Sequence, residues 1–564
     1  MTTIARGERA DLRTHAVANQ PPWRVDLNEY TANVPLVQAV ASFGASHADV
    51  ELTSTGARVG TAAFQQDAER AHVHEPVLHT YDRWGFRLDE VEYDPSYHRV
   101  IAAAVADGAH TAAWSAPRSG AAVARAATFM LYAQVEPGHA CPISMTHAAV
   151  ASLRDSPWIA GSWLPRLYAR SYDPRLAVDG GKPSALVGMA MTEKQGGSDV
   201  RANTTVGEHV SGHTYQLTGH KWFCSAPMSD AFLVLAQTRR GGRGEGLTCL
   251  FVPRVLPDGT RNEFRIQRLK DKLGNRSNAS AEIEFEGTSG TIVGEPGRGV
   301  PTIIEMVQRT RLDCVLGTAA GMRQAVSEAS WHARHRRAFG AVLADQPAMT
   351  AVLADLALEY EAALLSGLRL AQVFETAATD ADAALRRIAT PVLKYWVCKR
   401  GPQHAYEAME CLGGNGYTEG FPLARRYREQ PVMAIWEGSG NVIALDVLRA
   451  LGRDATCADA LVAELETTAG AHPLLDAHIA RTLALLRDVG REPEGVAAGQ
   501  ARRLTELLAL ALQSSLMLRH APHVDAEAFI GARLDEDRAA QYGVLPRGTD
   551  AAGILHRHEP PAGD

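Results

Sequence analysis

Two stretches of this sequence hold residue types suited to chemistry. Gly188-Met189-Ala190-Met191-Thr192-Glu193-Lys194-Gln195-Gly196-Gly197-Ser198-Asp199 offers backbone N–H groups at glycines and the hydroxyls of Thr192 and Ser198. Such a loop suits an anionic or heterocyclic ligand, although glycine with serine and aspartate also builds ordinary turns. Trp436-Glu437-Gly438-Ser439-Gly440-Asn441 places a carboxylate between a large aromatic ring and a glycine turn. A glutamate in an apolar pocket can act as a general base; at a helix start it is equally a carboxylate favoured by the dipole. Between them stand Arg336-x-x-Phe339-Gly340 with Gln346, and Gly413-Gly414-x-Gly416-Tyr417. The guanidinium fork matches phosphate, and glycines allow close backbone approach. Arg334, His335 and Arg337 flank Arg336, so a solvated basic helix end is the bland alternative.

Other candidates are weaker. His72, His74 and His79 lack a neighbouring cluster of carboxylates or cysteines and read as structural histidines, so no metal site is expected. The seven cysteines are scattered without a C-x-x-C pair, the pattern of reduced thiols in a cytoplasmic protein. A net charge of −7 gives no global pull toward nucleic acid or an anionic membrane. No apolar run is long enough to span a bilayer, and residues 1–20 lack the apolar core of a secretory signal.

The elements that must position these residues follow from composition and period. Residues 1–185 read as helix and loop, with alanine-rich segments such as Leu36–Phe43 and Ala121–Tyr132 separated by proline and glycine breakers. From about Leu186 the texture changes. Tyr215–Phe223, Ala231–Gln237, Leu247–Pro253, Phe264–Leu269 and Ala281–Glu286 are short, β-branched or aromatic, and punctuated by glycine, which predicts a small antiparallel β domain. Strict alternation in Glu282–Glu286 puts Ile283 and Phe285 on one buried face. Helical spacing returns over Thr302–Ala338, Ala348–Phe374 and Ala383–Leu412, then from the Glu437 stretch through Leu451. A further helical piece covers about Ala458–Arg538, followed by a Gly/Pro-containing tail.

The order helix–strand–helix, with the four motifs above in sequence, resembles the acyl-CoA dehydrogenase family of flavoproteins, and within it the AidB (alkylation-response) branch. Phrases carrying the branch resemblance are Gln134–His139, Cys141–His147, Lys270–Ala279 and Ile435–Asn441. The resemblance implies an α+β fold, mainly α. It comprises an N-terminal helical domain (1–185), a β-barrel-like middle domain (186–296), a C-terminal four-helix-type domain (297–452), and an extra helical domain with its tail (453–564).

It also implies FAD as cofactor and a homotetramer. Met191, Thr192, Gly197 and Ser198 match the family's flavin loop; Phe223, standing where a tryptophan is frequent, and Ser225 match its second flavin strand. Arg336, Phe339 and Gln346 match the group that meets the cofactor of a neighbouring subunit. Gly413 and Gly414 match the adenosine-contacting loop, although Glu410 replaces the usual glutamine. Trp436, Gly438, Ser439 and Asn441 surround the base position. The family's reaction is α,β-dehydrogenation of an acyl thioester: a carboxylate takes the α-proton while the β-hydrogen leaves as hydride to flavin N5. Glu437 is the matching catalytic base. The alternative family position falls on Thr310, which cannot serve. Arg311 and Trp436 match substrate contacts, whereas Gln308 replaces a substrate-binding aspartate.

The extra domain of the branch is implicated in DNA binding, so an FAD-carrying DNA-binding or protective protein with vestigial catalysis is the alternative reading. Charge argues against it: Arg453 to Asp564 holds 11 arginines, no lysine and 17 acids, a net of −6, and duplex binding rests on phosphate neutralisation. Arg502-Arg503, with Arg487 and Arg491, remains a local basic cluster, and a helical oligomerisation layer is the preferred reading.

Overall fold

Alanine-rich, proline-punctuated segments between residues 34 and 167 fold into a helical layer in the computed structural model, which describes residues 14–177, 181–375, 379–538 and 540–559. The helices of this layer that matter for the site are α1 (Ala121–Ala133) and α2 (Ala140–Leu153), both buried almost all round. Side-chain caps start several of the others. Thr61 accepts from the Phe64 N–H, and Asp94 from the Ser96 N–H ahead of a first-turn proline. An antiparallel hairpin, Val77–Tyr81 with Arg87–Glu92, interrupts the helices in a region expected to be mainly helix and loop.

The middle region contains seven strands: β1 (Val187–Ala190), β2 (Val206–Ser211), β3 (Thr214–Ser225), β4 (Ala231–Arg240), β5 (Arg243–Pro253), β6 (Phe264–Leu269) and β7 (Ser280–Val293). All five expected strand segments lie inside them. The ladder runs β2–β3–β7–β5–β4, and β4 pairs back to β2, so these strands close on themselves; β1 adds to β4 and β6 to β7. The expectation of an antiparallel sheet needs one correction. β1–β4 and β2–β4 are parallel, so the sheet is mixed. Hairpin-linked neighbours must be antiparallel, but these partners are joined by longer connections that leave direction free. Ile283 and Phe285 are buried, as the alternation required.

Five helices follow: α3 (Gly299–His335), α4 (Pro347–Val373), α5 (Asp380–Glu410), α6 (Pro422–Ile435) and α7 (Gly440–Arg453). Thr379 and Asp382 form a reciprocal capping box that starts α5. The unexpected helix is α6, whose internal Pro431 obscures its period. Beyond it lie α8 (Ala455–Glu466), α9 (Pro473–Val489), α10 (Glu494–His520), α11 (His523–Leu534) and α12 (Ala551–His558). These late helices do not stand apart. α10 packs on α4, α5 and α7, and Arg533 and Arg557 reach the buried acids of α4: Arg533 Nη2 lies 2.6 Å from Asp355 and 2.9 Å from Glu359, and Arg557 Nη2 lies 2.6 Å from Glu361.

Candidate functional site

Glu437 sits in the turn between α6 and α7, just ahead of the first residue of α7. Its backbone is left-handed (φ +58°), and Gly438 follows at φ +108°. A non-glycine residue in that region costs on the order of 1 kcal/mol or more and persists only where its surroundings hold it. Here two cations do so. Arg311 Nε of α3 donates to the Glu437 carbonyl at 3.0 Å, and Lys394 Nζ of α5 donates to the Gly438 carbonyl at 2.6 Å. Arg311 is in turn held by Asp446 of α7 at 2.6 Å, and Asp446 also takes Arg387 at 2.9 Å. The Glu437 carboxyl is raised above its ordinary value by burial, against the pull of Arg311, the Thr310 hydroxyl and Lys394. Among the described residues no helix N–H hydrogen-bonds the Glu437 carboxylate. Thr310, the alternative base position in the sequence, therefore stands beside Glu437 in space.

Arg311, expected at the substrate, is buried and committed to Asp446 and the Glu437 turn. One turn earlier on α3, Gln308 is buried with both amide atoms unpartnered. Trp436 packs with Met433 against Cys314 and Cys398. Asn441 accepts from Arg502 Nε of α10 at 2.7 Å, which ties the extra helices to the start of α7. Cys141 of α2, pushed up to about 11 by burial, completes the wall next to Ser225, Asn278 and Lys272. All seven cysteines are free thiols.

The loop after β1 is fixed by a buried ion pair. Glu193 and Lys221 of β3 are both fully buried with Oε1 and Nζ 2.7 Å apart. Glu193 also accepts from the Thr204 N–H at 2.6 Å and the Thr205 N–H at 3.1 Å, and Lys221 donates to the Leu235 carbonyl at 2.8 Å. Burial opposes ionisation, but Lys221 and these donors hold the Glu193 carboxyl well below the usual range. The Trp222 N–H donates to the Thr192 carbonyl at 2.8 Å, so the Thr192 loop and the Phe223–Ser225 strand lie side by side. A Cβ on Gly197 would stand 2.4 Å from Thr192 Oγ1, which is why glycine is required there.

The structure thus brings together Met191, Thr192, Gly197 and Ser198 with Phe223 and Ser225, and separately Arg311, Trp436, Glu437, Gly438, Ser439 and Asn441. Arg336, Phe339 and Gln346 form their own turn after α3. Arg336 Nη1 donates to the Asn19 carbonyl at 2.6 Å, and Gln346 Nε2 to the Ala338 carbonyl at 2.9 Å. Among the described residues no hydrogen bond joins that turn to the Thr192–Ser198 loop. Gly413 and Gly414 lie exposed in the 3-10 turn after α5 with open space where a Cβ would stand, and Glu410 is exposed to solvent. Lys394, Asp446, Arg387 and the Glu193–Lys221 pair were not expected; each is an ordinary charge in its own element, and only its distant partner marks it.

Residues 19–174 match the adaptive response protein AidB N-terminal domain, residues 188–288 the acyl-CoA dehydrogenase middle domain, and residues 297–452 the acyl-CoA dehydrogenase C-terminal domain. The chain is 44% identical over 525 residues to AidB of Escherichia coli (strain K12), covering 93% of this chain and 95% of that one. It is 31% identical over 423 residues to acyl-CoA dehydrogenase family member 11 of Caenorhabditis elegans, covering 71% of this chain and 66% of that one. Among solved structures, Caenorhabditis elegans ACDH-11 in complex with C11-CoA aligns with a TM-score of 0.83 at 23% identity, over 99% of this chain and 95% of that one. An acyl-CoA dehydrogenase from Bacillus anthracis complexed with FAD gives a TM-score of 0.67 at 17% identity, over 86% and 83%.

The family is FAD-dependent, and the residues present fit that group. Phe223 and Phe339 leave aromatic surface uncovered at 48% and 99% exposure, Gly196 and Gly414 leave open backbone, and hydroxyls and a guanidinium supply donors for a ring edge and a pyrophosphate. Three successive domain matches and a relative shared along almost the whole length lead to one conclusion: this chain belongs to the acyl-CoA dehydrogenase family, in its AidB group.

Proposed function

We propose that this oxidoreductase of the acyl-CoA dehydrogenase type works through Glu437, whose carboxylate takes the α-proton of an acyl thioester. The observation that carries the proposal is the Glu437 turn: a carboxylate on a strained backbone, clamped by Arg311 and Lys394, with its pKa raised toward the range a general base needs. FAD, when bound, supplies the hydride acceptor. Thr192, Ser198 and Ser225 present hydroxyls to it, and Phe223 gives an aromatic wall. Arg311, Asp446 and Arg387 hold the Glu437 main chain and leave its carboxylate oriented by the cations around it. The unpaired Gln308 amide, on the same face of α3 as Arg311, is assigned to the substrate.

Arg336 and Phe339, exposed on their own turn, are assigned to the cofactor of a neighbouring subunit, which makes a homotetramer part of the proposal; light scattering of the purified protein checks it. The test of the chemistry is anaerobic titration of the flavoprotein with short, branched and aromatic acyl-CoAs. Wild type is expected to bleach with at least one of them, and Glu437→Gln to hold its flavin but not bleach. Bleaching that survives in Glu437→Gln would remove Glu437 as the base.

A further inference from the structure

A cavity of about 520 Å³ lies between the N-terminal helices, the Val77–Glu92 hairpin and the strands, and none of its lining residues belongs to the Glu437 group. Cys141 and Ser225 are hydrogen-bonding neighbours, while the residues that follow them, Pro142 and Ala226, line the cavity. Its volume lies within the range of small-molecule sites.

Its chemistry is selective. The buried Lys182 and Asp230 on its lining match each other, whereas the other charged pairs there are partly exposed. Lys182 pairs with Asp230 at 2.7 Å and Arg175 with Asp173 at 2.6 Å, Arg261 pairs with Glu90, and His79 lies 2.8 Å from Glu92. An ionic ligand seated at the inner wall would have to break the buried Lys182–Asp230 pair or stay uncompensated beside it, which is costly where the side chains are desolvated. Aromatic faces and a hydroxyl remain. Tyr93 and Tyr97 are stacked with centroids 4.6 Å apart and planes 16° apart. Across from them Tyr172 hydrogen-bonds His98 Nδ1 at 2.9 Å, and their rings stack at 5.8 Å. Ser229, only 4% exposed, lines the cavity, and its Oγ has no partner. Flat aromatic walls favour offset stacking or edge contacts with a planar ring, and an unpartnered buried hydroxyl favours a ligand carrying a hydrogen-bonding group.

We infer that this cavity is a binding site for a neutral, planar aromatic molecule bearing one hydroxyl or equivalent polar group, distinct from the site at Glu437. The inference does not rest on the assignment of Glu437 as the base.

The experiment is calorimetric titration of the FAD-loaded protein with three probes of one size: 2-naphthol, 2-naphthoate and the saturated alcohol decahydro-2-naphthol. One 2-naphthol is expected per chain, with the carboxylate and the saturated alcohol each at least about tenfold weaker. Ser229→Ala is expected to weaken 2-naphthol about fivefold. Ser229→Leu, which fills the cavity next to the hydroxyl, is expected to abolish binding while flavin content and acyl-CoA titration stay as in wild type. Equal binding of the three probes overturns the proposed selectivity. Binding of 2-naphthol that persists undiminished in Ser229→Leu, or that acyl-CoA displaces competitively, overturns the location. The probe comparison uses only wild-type protein, so it decides the selectivity even if a variant fails to fold.

Discussion

At the scale of single residues, the site turns on how a carboxylate is kept both ionisable and in place. Glu437 has no covalent feature that distinguishes it from the other glutamates of the chain. Burial lifts its pKa, while Arg311, the Thr310 hydroxyl and Lys394 restrain the rise. The acid limb of kcat/KM is therefore expected above the ordinary glutamate value, with activity rising as pH climbs and the carboxyl loses its proton. Replacing Lys394 by Met removes a cation that favours the ionised form, so that limb is expected to move to higher pH; a shift to lower pH would contradict the assignment. Glu437→Gln is expected to cost at least about 100-fold in the rate of flavin reduction, measured by stopped flow, with the flavin spectrum unchanged. Gln308→Ala removes an amide with no partner inside the chain. It is expected to raise KM more than it lowers kcat, since the amide is assigned to binding.

At the scale of elements, the loops are held by buried charge, and the strands and helices are held by apolar area. The Glu193–Lys221 pair pins the Thr192–Ser198 loop to β3. Glu193→Gln leaves a buried lysine without its counter-charge and is expected to destabilise the protein by about 3–5 kcal/mol, read as a lower thermal midpoint together with weaker FAD retention. The branch-specific phrases prove to be joinery of the same kind. Glu136 accepts from the Gly138 N–H at 3.0 Å, the His139 N–H at 2.7 Å and Ser277 Oγ at 2.6 Å, so Gln134–His139 and Lys270–Ala279 lock together. A Cβ on Gly274 would stand 2.2 Å from the Arg428 carbonyl, which fixes glycine at that crossing. Burial works against ionising Glu136, but His139, Ser277 and the main-chain N–H groups bring it down to about 2. A carboxyl depressed in the folded state contributes stability that is whole above its unfolded pKa, about 4.3. That contribution is lost as pH falls from there toward 2. Equilibrium unfolding is expected to show a loss of about 3 kcal/mol from this group across that window, and Glu136→Gln to flatten that part of the curve.

At the scale of the whole molecule, the segment after residue 453 is part of the core that supports the site. α10 buries Leu504, Leu508, Leu512 and Leu516, and it packs on α4, α5 and α7 of its own chain. The preferred reading of that segment as an oligomerisation layer thus finds its apolar face already used within the chain. Asp355, Glu359 and Glu361 of α4 are buried because Arg533 and Arg557 reach them. Removing residues 454–564 would strand those acids and expose the apolar face, so the truncated chain is expected to aggregate in size-exclusion chromatography. Arg502 is likewise engaged with Asn441. Its replacement by Ala is expected to loosen FAD, measured by release on dilution, whereas Arg503→Ala is expected to leave FAD retention unchanged. No described helix is long and apolar enough to cross a membrane.

Much of this was legible in the linear chain. Period and composition located the five expected strand segments and the long helices, because one face of each is apolar at a fixed repeat. The motifs singled out the Thr192–Ser198 loop and Glu437 as candidates, because they hold glycine, hydroxyl and carboxylate at short spacings. The misses have common causes. α6 hid behind its prolines, and β1 and β2 were too short to show a period. The parallel pairings depended on connections that impose no direction. The clamp was beyond sequence reading for a stronger reason. Arg311 and Glu437 are 126 residues apart, and Lys394 and Gly438 are 44 apart, so their pairing exists only once α3, α5 and α7 are packed. The sequence determined which groups are available for chemistry. Only the tertiary structure decided which carboxylate is desolvated, which cations restrain it, and that a second cavity with the buried Lys182–Asp230 pair on its wall exists, because desolvation and pairing are properties of packed neighbours in space.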